Sequence, residues 1–202
     1  MSPPVLSLRS VVLARGTAPQ LDVDFAPGVH LVVGPNGIGK TSLLNSIAGT
    51  LPPKTGSILL DGRAIVSGCA GVVLAPNAPP EIPWIRAGLL LDFVVSLYPV
   101  TRRDAAYAAA ALERFGLAPC MDAPLGTLSA GSARKLLLAA ALIAAPPVLL
   151  FDEPTNEIDA ASIGVFLDLA GAAAADHIVI ITTHHTLDLQ SLRPRVLDLT
   201  TI

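Results

Sequence analysis

Apolar residues in the first third of the chain come in short runs, not in helical stripes. Residues 5–13 and 21–25 set Leu, Val and Phe against Ser, Arg and Asp at near-alternating positions, the pattern of half-buried strands, with a turn at Arg15-Gly-Thr-Ala-Pro19 between them. Val29-His-Leu-Val-Val33 is a continuous apolar run that reads as a buried strand, and residues 40–48 follow as a helix. Runs at 57–60 and 64–66 flank Asp61-Gly62, a two-residue hairpin signal, and 71–74 reads as another buried strand. Beyond the Pro-rich connector Ala78-Pro-Pro-Glu-Ile-Pro-Trp84 the patterns turn helical over 86–97, 103–115 and 133–144. Strands at 148–151 and 178–181 then flank a helix at 160–174. Strands alternating with helices on both sides of a helical stretch predict an α/β fold with a mainly parallel core sheet, an N-terminal antiparallel β portion and an inserted helical subdomain. One domain is expected over 1–202, with its core at about 1–77 and 136–202 and the helical part at about 78–135.

The strongest chemical signal sits between the third strand and the helix after it. Gly34-Pro-Asn-Gly-Ile-Gly-Lys40-Thr41 fits G-x-x-x-x-G-K-[ST] and so predicts a P-loop NTPase core. Glycines 34, 37 and 39 let the loop that runs through Pro35, Asn36 and Ile38 to Ser42 turn its N–H groups, which every residue but Pro35 carries, toward phosphate oxygens, and the helix start adds its positive dipole end. Lys40 is expected to reach the β/γ-phosphates, and Thr41 to offer its hydroxyl to Mg²⁺. Val148-Leu-Leu-Phe-Asp152-Glu153 ends a buried strand in two carboxylates, at the sheet edge where ligands bind in open α/β folds. Asp152 suits the Mg²⁺ shell and Glu153 an attacking water; the alternative for the pair is a solvated turn.

Between these motifs lies Leu128-Ser-Ala-Gly-Ser132, which resembles the LSGGQ signature of the ATP-binding cassette (ABC) family, in the order that family shows. Ser129 and the helix N-terminus can form a second anion site while Ser129 or Ser132 also caps the helix. The resemblance continues through Thr155-Asn-Glu-Ile-Asp159, similar to the family's D-loop, where Asp159 can cap the next helix, and through Thr183-His184, where the family carries a histidine that contacts the γ-phosphate. It implies an ATP-hydrolysing subunit using ATP and Mg²⁺. Two cassettes, identical or related, would sandwich the nucleotides head to tail, with Lys40, Thr41, Asp152, Glu153 and His184 of one facing Ser129 and Gly131 of the other.

The chain also departs from that family. Asn77 stands where the family has a glutamine, keeping the amide but losing a methylene, so that it would reach Mg²⁺ or the lytic water through another water. Ala130 and Ser132 replace a glycine and a glutamine of the signature. No ring occurs at 14–16 for stacking on adenine; Arg15 can lay its planar guanidinium there or stay a solvated surface group.

Composition narrows the role. A net charge of −3 and no basic cluster beyond Arg102-Arg103 give no footprint for nucleic acid. The 52% hydrophobic content against 14% charged implies either an extra buried interface or heavy alanine use. No run reaches the roughly 20 apolar residues of a membrane span, and the start lacks a signal-peptide pattern. Cys69 and Cys120 lack metal-ligand spacing. The resemblance therefore implies a cytoplasmic subunit at the inner face of the membrane, held there by a separate integral membrane permease. Residues 78–84 and the helices after them, with Arg86 and Tyr98, would make that contact, and Trp84 is either an interface anchor or a core residue. The alternatives are a soluble non-transport ABC ATPase and a nucleotide-dependent dimerisation subunit with little hydrolysis.

Overall fold

The computed structural model describes residues 3–66, 71–183 and 187–201. Among them the strands form two sheets. β1 (Leu6–Val12), β2 (Leu21–Phe25), β4 (Thr55–Leu60) and β5 (Arg63–Ala64) make an antiparallel sheet in the order β2-β1-β4-β5. β3 (Gly28–Val33), β6 (Val72–Ala75), β7 (Val148–Asp152), β8 (Ile178–Thr182) and β9 (Arg195–Asp198) make a parallel sheet in the order β6-β7-β8-β3-β9. The helices are α1 (Lys40–Ile47), α2 (Ala87–Ser96), α3 (Ala105–Arg114), α4 (Ala130–Ala144) and α5 (Ala160–Ala173).

The parallel strands read as unbroken apolar runs because both of their faces are covered. Leu149 and Phe151 join Val29, Leu31, Val73, Val179 and Ile181 on the face beneath α2, α4 and α5, where Phe151 meets Phe166 edge to face at 5.0 Å. Val148 and Leu150 join Val32, Ile178 and Ile180 on the other face, against Leu43, Leu44 and Ile47 of α1 and against Leu6, Leu8 and Phe25 of the antiparallel sheet. Successive side chains thus serve different layers, as strand geometry requires.

Helix α4 uses its alanines for close packing. It is buried almost all round, from Ala133 through Ala144, and packs on β6 and β7 as well as on α2 and α3. Ala139, Ala140, Ala141 and Ala144 let it approach closely, and it ends at Ala145, in a left-handed conformation, ahead of Pro146-Pro147. In β1 a bulge at Ser10 (φ 50°) shifts the alternation, so the buried positions run Leu6, Leu8, Val11. Gly56 lies against it: a Cβ there would fall 2.3 Å from the Ser10 carbonyl oxygen. The hairpin at Asp61-Gly62 has φ 51° and 76°, as a primed two-residue turn needs.

Two surface expectations are decided here. Trp84 is 71% exposed, so it is not a core residue. Tyr98 is buried instead, its hydroxyl donating to the Val72 carbonyl at 2.6 Å, so it is not available for a partner. Cys120 is a half-buried free thiol, and Cys69 lies outside the described residues.

Candidate functional site

The carboxyl ends of β3, β6 and β7 open onto a cavity of about 410 Å³ lined by Arg15, Asn36, Lys40, Thr41, Asn77, Asp152 and Glu153 among others. Its floor is the loop 34–39, where Gly34, Gly37 and Gly39 have φ of 145°, 80° and 124°. L side chains rarely adopt such values, so these glycines keep the backbone N–H groups turned inward. The loop is braced from outside, since Thr17 and Ala18 both donate to the Ile38 carbonyl, at 3.1 and 3.0 Å, while Ile38 is itself buried in the core. The fit at Gly16 is tight enough that a Cβ there would sit 2.3 Å from that same oxygen.

Helix α1 starts at Gly39 with no side-chain cap, so among the described residues no capping side chain takes up the donors of its first turn. Lys40 is buried, with Nζ donating to the Gly34 carbonyl at 2.8 Å and the Pro35 carbonyl at 3.4 Å. Ser42 accepts from the Arg15 N–H at 3.3 Å, which pins residue 15 to the cavity rim.

The Asp152 carboxylate is held on both oxygens. Thr41 Oγ1 donates to Oδ2 at 2.9 Å, and Thr182 Oγ1 donates to Oδ1 at 2.6 Å. Glu153 follows in a left-handed conformation, φ 51°, at a cost of about 1–3 kcal/mol for a residue that is not glycine. Surrounding bonds fix it there: its N–H is shared between the Thr182 carbonyl and hydroxyl oxygens, each at 3.1 Å. Two carboxylates at one strand end, with a buried ammonium and uncapped helix donors opposite, can bind a polyphosphate together with a hard cation and place a water beside Glu153.

Ser129, Gly131 and Asp159 do not line this cavity. Ser129 caps α4 by accepting from the Ser132 N–H at 3.1 Å, and Gly131 packs so closely on residue 157 that a Cβ would lie 2.7 Å from the Glu157 carbonyl oxygen. Asp159 caps α5, accepting from the Ser162 N–H at 2.8 Å and from its hydroxyl at 2.9 Å. Those bonds, the backbone one foremost, hold its carboxyl below the ordinary range. His184 lies outside the described residues.

Two residues of the site carry no motif signal. Thr182 is fully buried and anchors both carboxylate-bearing residues. Arg134, 1% exposed, donates from α4 to the carbonyls of Pro76, Asp152 and Glu153, the last at 2.7 Å. Burial pulls the guanidinium pKa down, and the carboxylates of Asp152, Glu157 and Glu153 oppose that shift. In the sequence Arg134 and Lys135 head the uncharged stretch 136–151, and that position is the one hint that Arg134 offered.

The ABC transporter family model matches residues 20–156. The cytochrome c biogenesis ATP-binding export protein CcmA of Pseudomonas putida is 36% identical over 186 residues, covering 89% of this chain and 88% of that protein. The protein of the same name from Cereibacter sphaeroides is 34% identical over 198 residues, covering 96% and 88%. A solved structure of the ATP-binding subunit of an ABC transporter superposes with a TM-score of 0.78 over 93% of this chain and 82% of the other; at 20% identity that likeness concerns the fold.

Proposed function

This chain belongs to the ABC transporter family, and we propose from that premise how its residues divide the work. It is an ATP-binding and ATP-hydrolysing subunit that powers transport through a separate membrane partner. One observation carries the assignment of roles: the Asp152 carboxylate is tied to Thr41 of the phosphate loop on one oxygen and to Thr182 on the other, with Glu153 beside it on the cavity wall.

Lys40 turns from the loop carbonyls to the β/γ-phosphate oxygens, and the backbone N–H groups of residues 36–42 cradle the rest. Thr41 and Asp152 bring the oxygen donors that Mg²⁺ prefers and would hold it, with Asn77 reaching it through a water. Bound there, the ion would neutralise charge on the phosphates. Glu153 orients the attacking water and takes its proton. His184 contacts the γ-phosphate, on the strength of the family resemblance alone. Arg15 stacks its guanidinium on the base. Ser129 and Gly131 of one cassette, with Asp159, complete the site of a second.

The membrane permease docks on residues 78–84 and α2. Supporting that, Trp84 and Phe93 are 71% and 60% exposed, and Leu89, Phe93 and Leu97 repeat every fourth residue along one exposed stripe. No described helix is long and apolar enough to cross a membrane. The chain works at the cytoplasmic face through that partner, in export of the kind for which its cytochrome c biogenesis relatives are named.

Phosphate release with and without Mg²⁺ tests the roles. Glu153→Gln should bind ATP and lose turnover; undiminished turnover would refute the role of Glu153. Co-purification of a tagged copy from membranes should recover a multi-span protein, and recovery of ribosomes or DNA instead would overturn the transport partner.

A further inference from the structure

Arg134 lies outside the nucleotide cavity yet grips the backbone of three residues at the strand ends that shape it. Pro76 precedes Asn77 at the end of β6, and Asp152 and Glu153 close β7. Filling this place with an apolar side chain would avoid desolvating a charge. It would also take this donor from three strand-end carbonyls, those of Asp152 and Glu153 buried, and leave Glu153 in its left-handed conformation with its N–H bonds to Thr182 and the Asn156 N–H on its carbonyl but without the guanidinium. A guanidinium is suited to the task, because its planar fork aims several donors at fixed angles, whereas an ammonium is a single point charge. The residue stands on the helix whose first turn is the signature, five positions beyond its N-cap Ser129.

We propose that Arg134 is a positioning residue, joining the signature-bearing helix to the backbone of Glu153 and of the residue before Asn77. Movement of the start of α4 against a second cassette's nucleotide is thereby transmitted to the carboxylate of the chain's own site. This rests on the reading of Glu153 as the water-orienting group.

The test compares the full-length wild type with Arg134→Lys, Arg134→Met and Glu153→Gln, measuring phosphate release, ATP affinity and thermal unfolding. Both Arg134 variants should fold cooperatively and bind ATP within about threefold of wild type, since neither change touches the phosphate cradle. Their kcat should fall by about 10- to 100-fold with KM nearly unchanged, the size of effect expected from a misplaced catalytic group. Lysine should not rescue. Turnover within twofold of wild type in either variant overturns the proposal, as does a loss confined to ATP affinity and KM. Failure of both to fold also overturns it, marking Arg134 as structural. A wild type without turnover would sink the ATPase reading and this proposal together. A fully active Glu153→Gln removes the reading on which it rests, whereas an impaired Glu153→Gln beside an active Arg134→Lys overturns the role of Arg134 alone.

Discussion

Helices α1 and α5 each begin after a parallel strand has ended at the same edge of the sheet, but their first turns are completed differently. At α5 the chain supplies its own oxygens: both oxygens of Asp159 are taken, by the N–H and the hydroxyl of Ser162. At α1 the cap position is Gly39, which has no side chain to offer, and the donors of the first turn face a cavity. The capping oxygens of α5 satisfy its own first turn, whereas the missing cap of α1 leaves donors that an anion in the cavity can take. Helix α4 stands between the two, capped by Ser129 whose hydroxyl also donates to Ser132 at 2.9 Å, so Ser129 is already engaged when a second cassette's phosphate arrives.

The contrast can be broken most sharply at Lys40. Lys40→Ala removes the buried cation from the α1 end, and ATP affinity should drop by more than about 100-fold, consistent with the loss of charge-assisted bonds of roughly 1.5–3 kcal/mol each; equilibrium titration with a fluorescent nucleotide measures it. An affinity loss under threefold would mean the helix start and loop suffice without the ammonium. Next is Gly39→Ala, which forces a φ of 124° on a residue with a Cβ, 2.8 Å from Leu13 Cδ1. Its cost should be about 1–3 kcal/mol of stability by chemical denaturation, together with weakened ATP binding.

At α5 the effects should be smaller. Asp159→Ala should lower the thermal midpoint by about 2–4 °C, because it removes a cap from a domain of this size; no change would show that α5 does not depend on its cap. The same residue gives a pH test. Its carboxyl is held below its ordinary value, chiefly by the Ser162 N–H and then by the Ser162 hydroxyl, so the unfolded chain binds its proton more readily than the folded one. That contribution is complete above about pH 3.8 and is lost as pH falls through the folded value. The midpoint difference between wild type and Asp159→Ala should therefore narrow on acidification below about pH 4, and a constant gap down to pH 3 would argue against a charged cap.

Local signals were legible wherever short-range geometry sets the structure. The Asp-Gly hairpin, the capped start of α5 and the end of α4 before two prolines all occur at or within a few residues of the expected positions. Signals weakened where a distant partner decides. β9, unmarked in the sequence pattern, is a four-residue strand next to Pro194 that exists because β3 offers it a parallel edge. Tyr98 resembles a surface aromatic until the Val72 carbonyl, 26 positions away, draws its hydroxyl inward. Arg134 and Thr182 escaped notice for the same reason, as their partners lie 18 to 58 and 29 to 30 positions away.

The sequence alone determined the phosphate loop, the strand ending in two carboxylates and the capped helix starts, because each is a matter of backbone freedom or side-chain reach within a few residues. Only the tertiary structure decided how the site is held. Asp152 becomes a shared acceptor, and Glu153 keeps its left-handed backbone, through Thr41, Thr182 and Arg134, brought in from three separate elements. Close packing of the parallel strands against α4 brings these groups within hydrogen-bond reach, and no spacing along the chain encodes that reach.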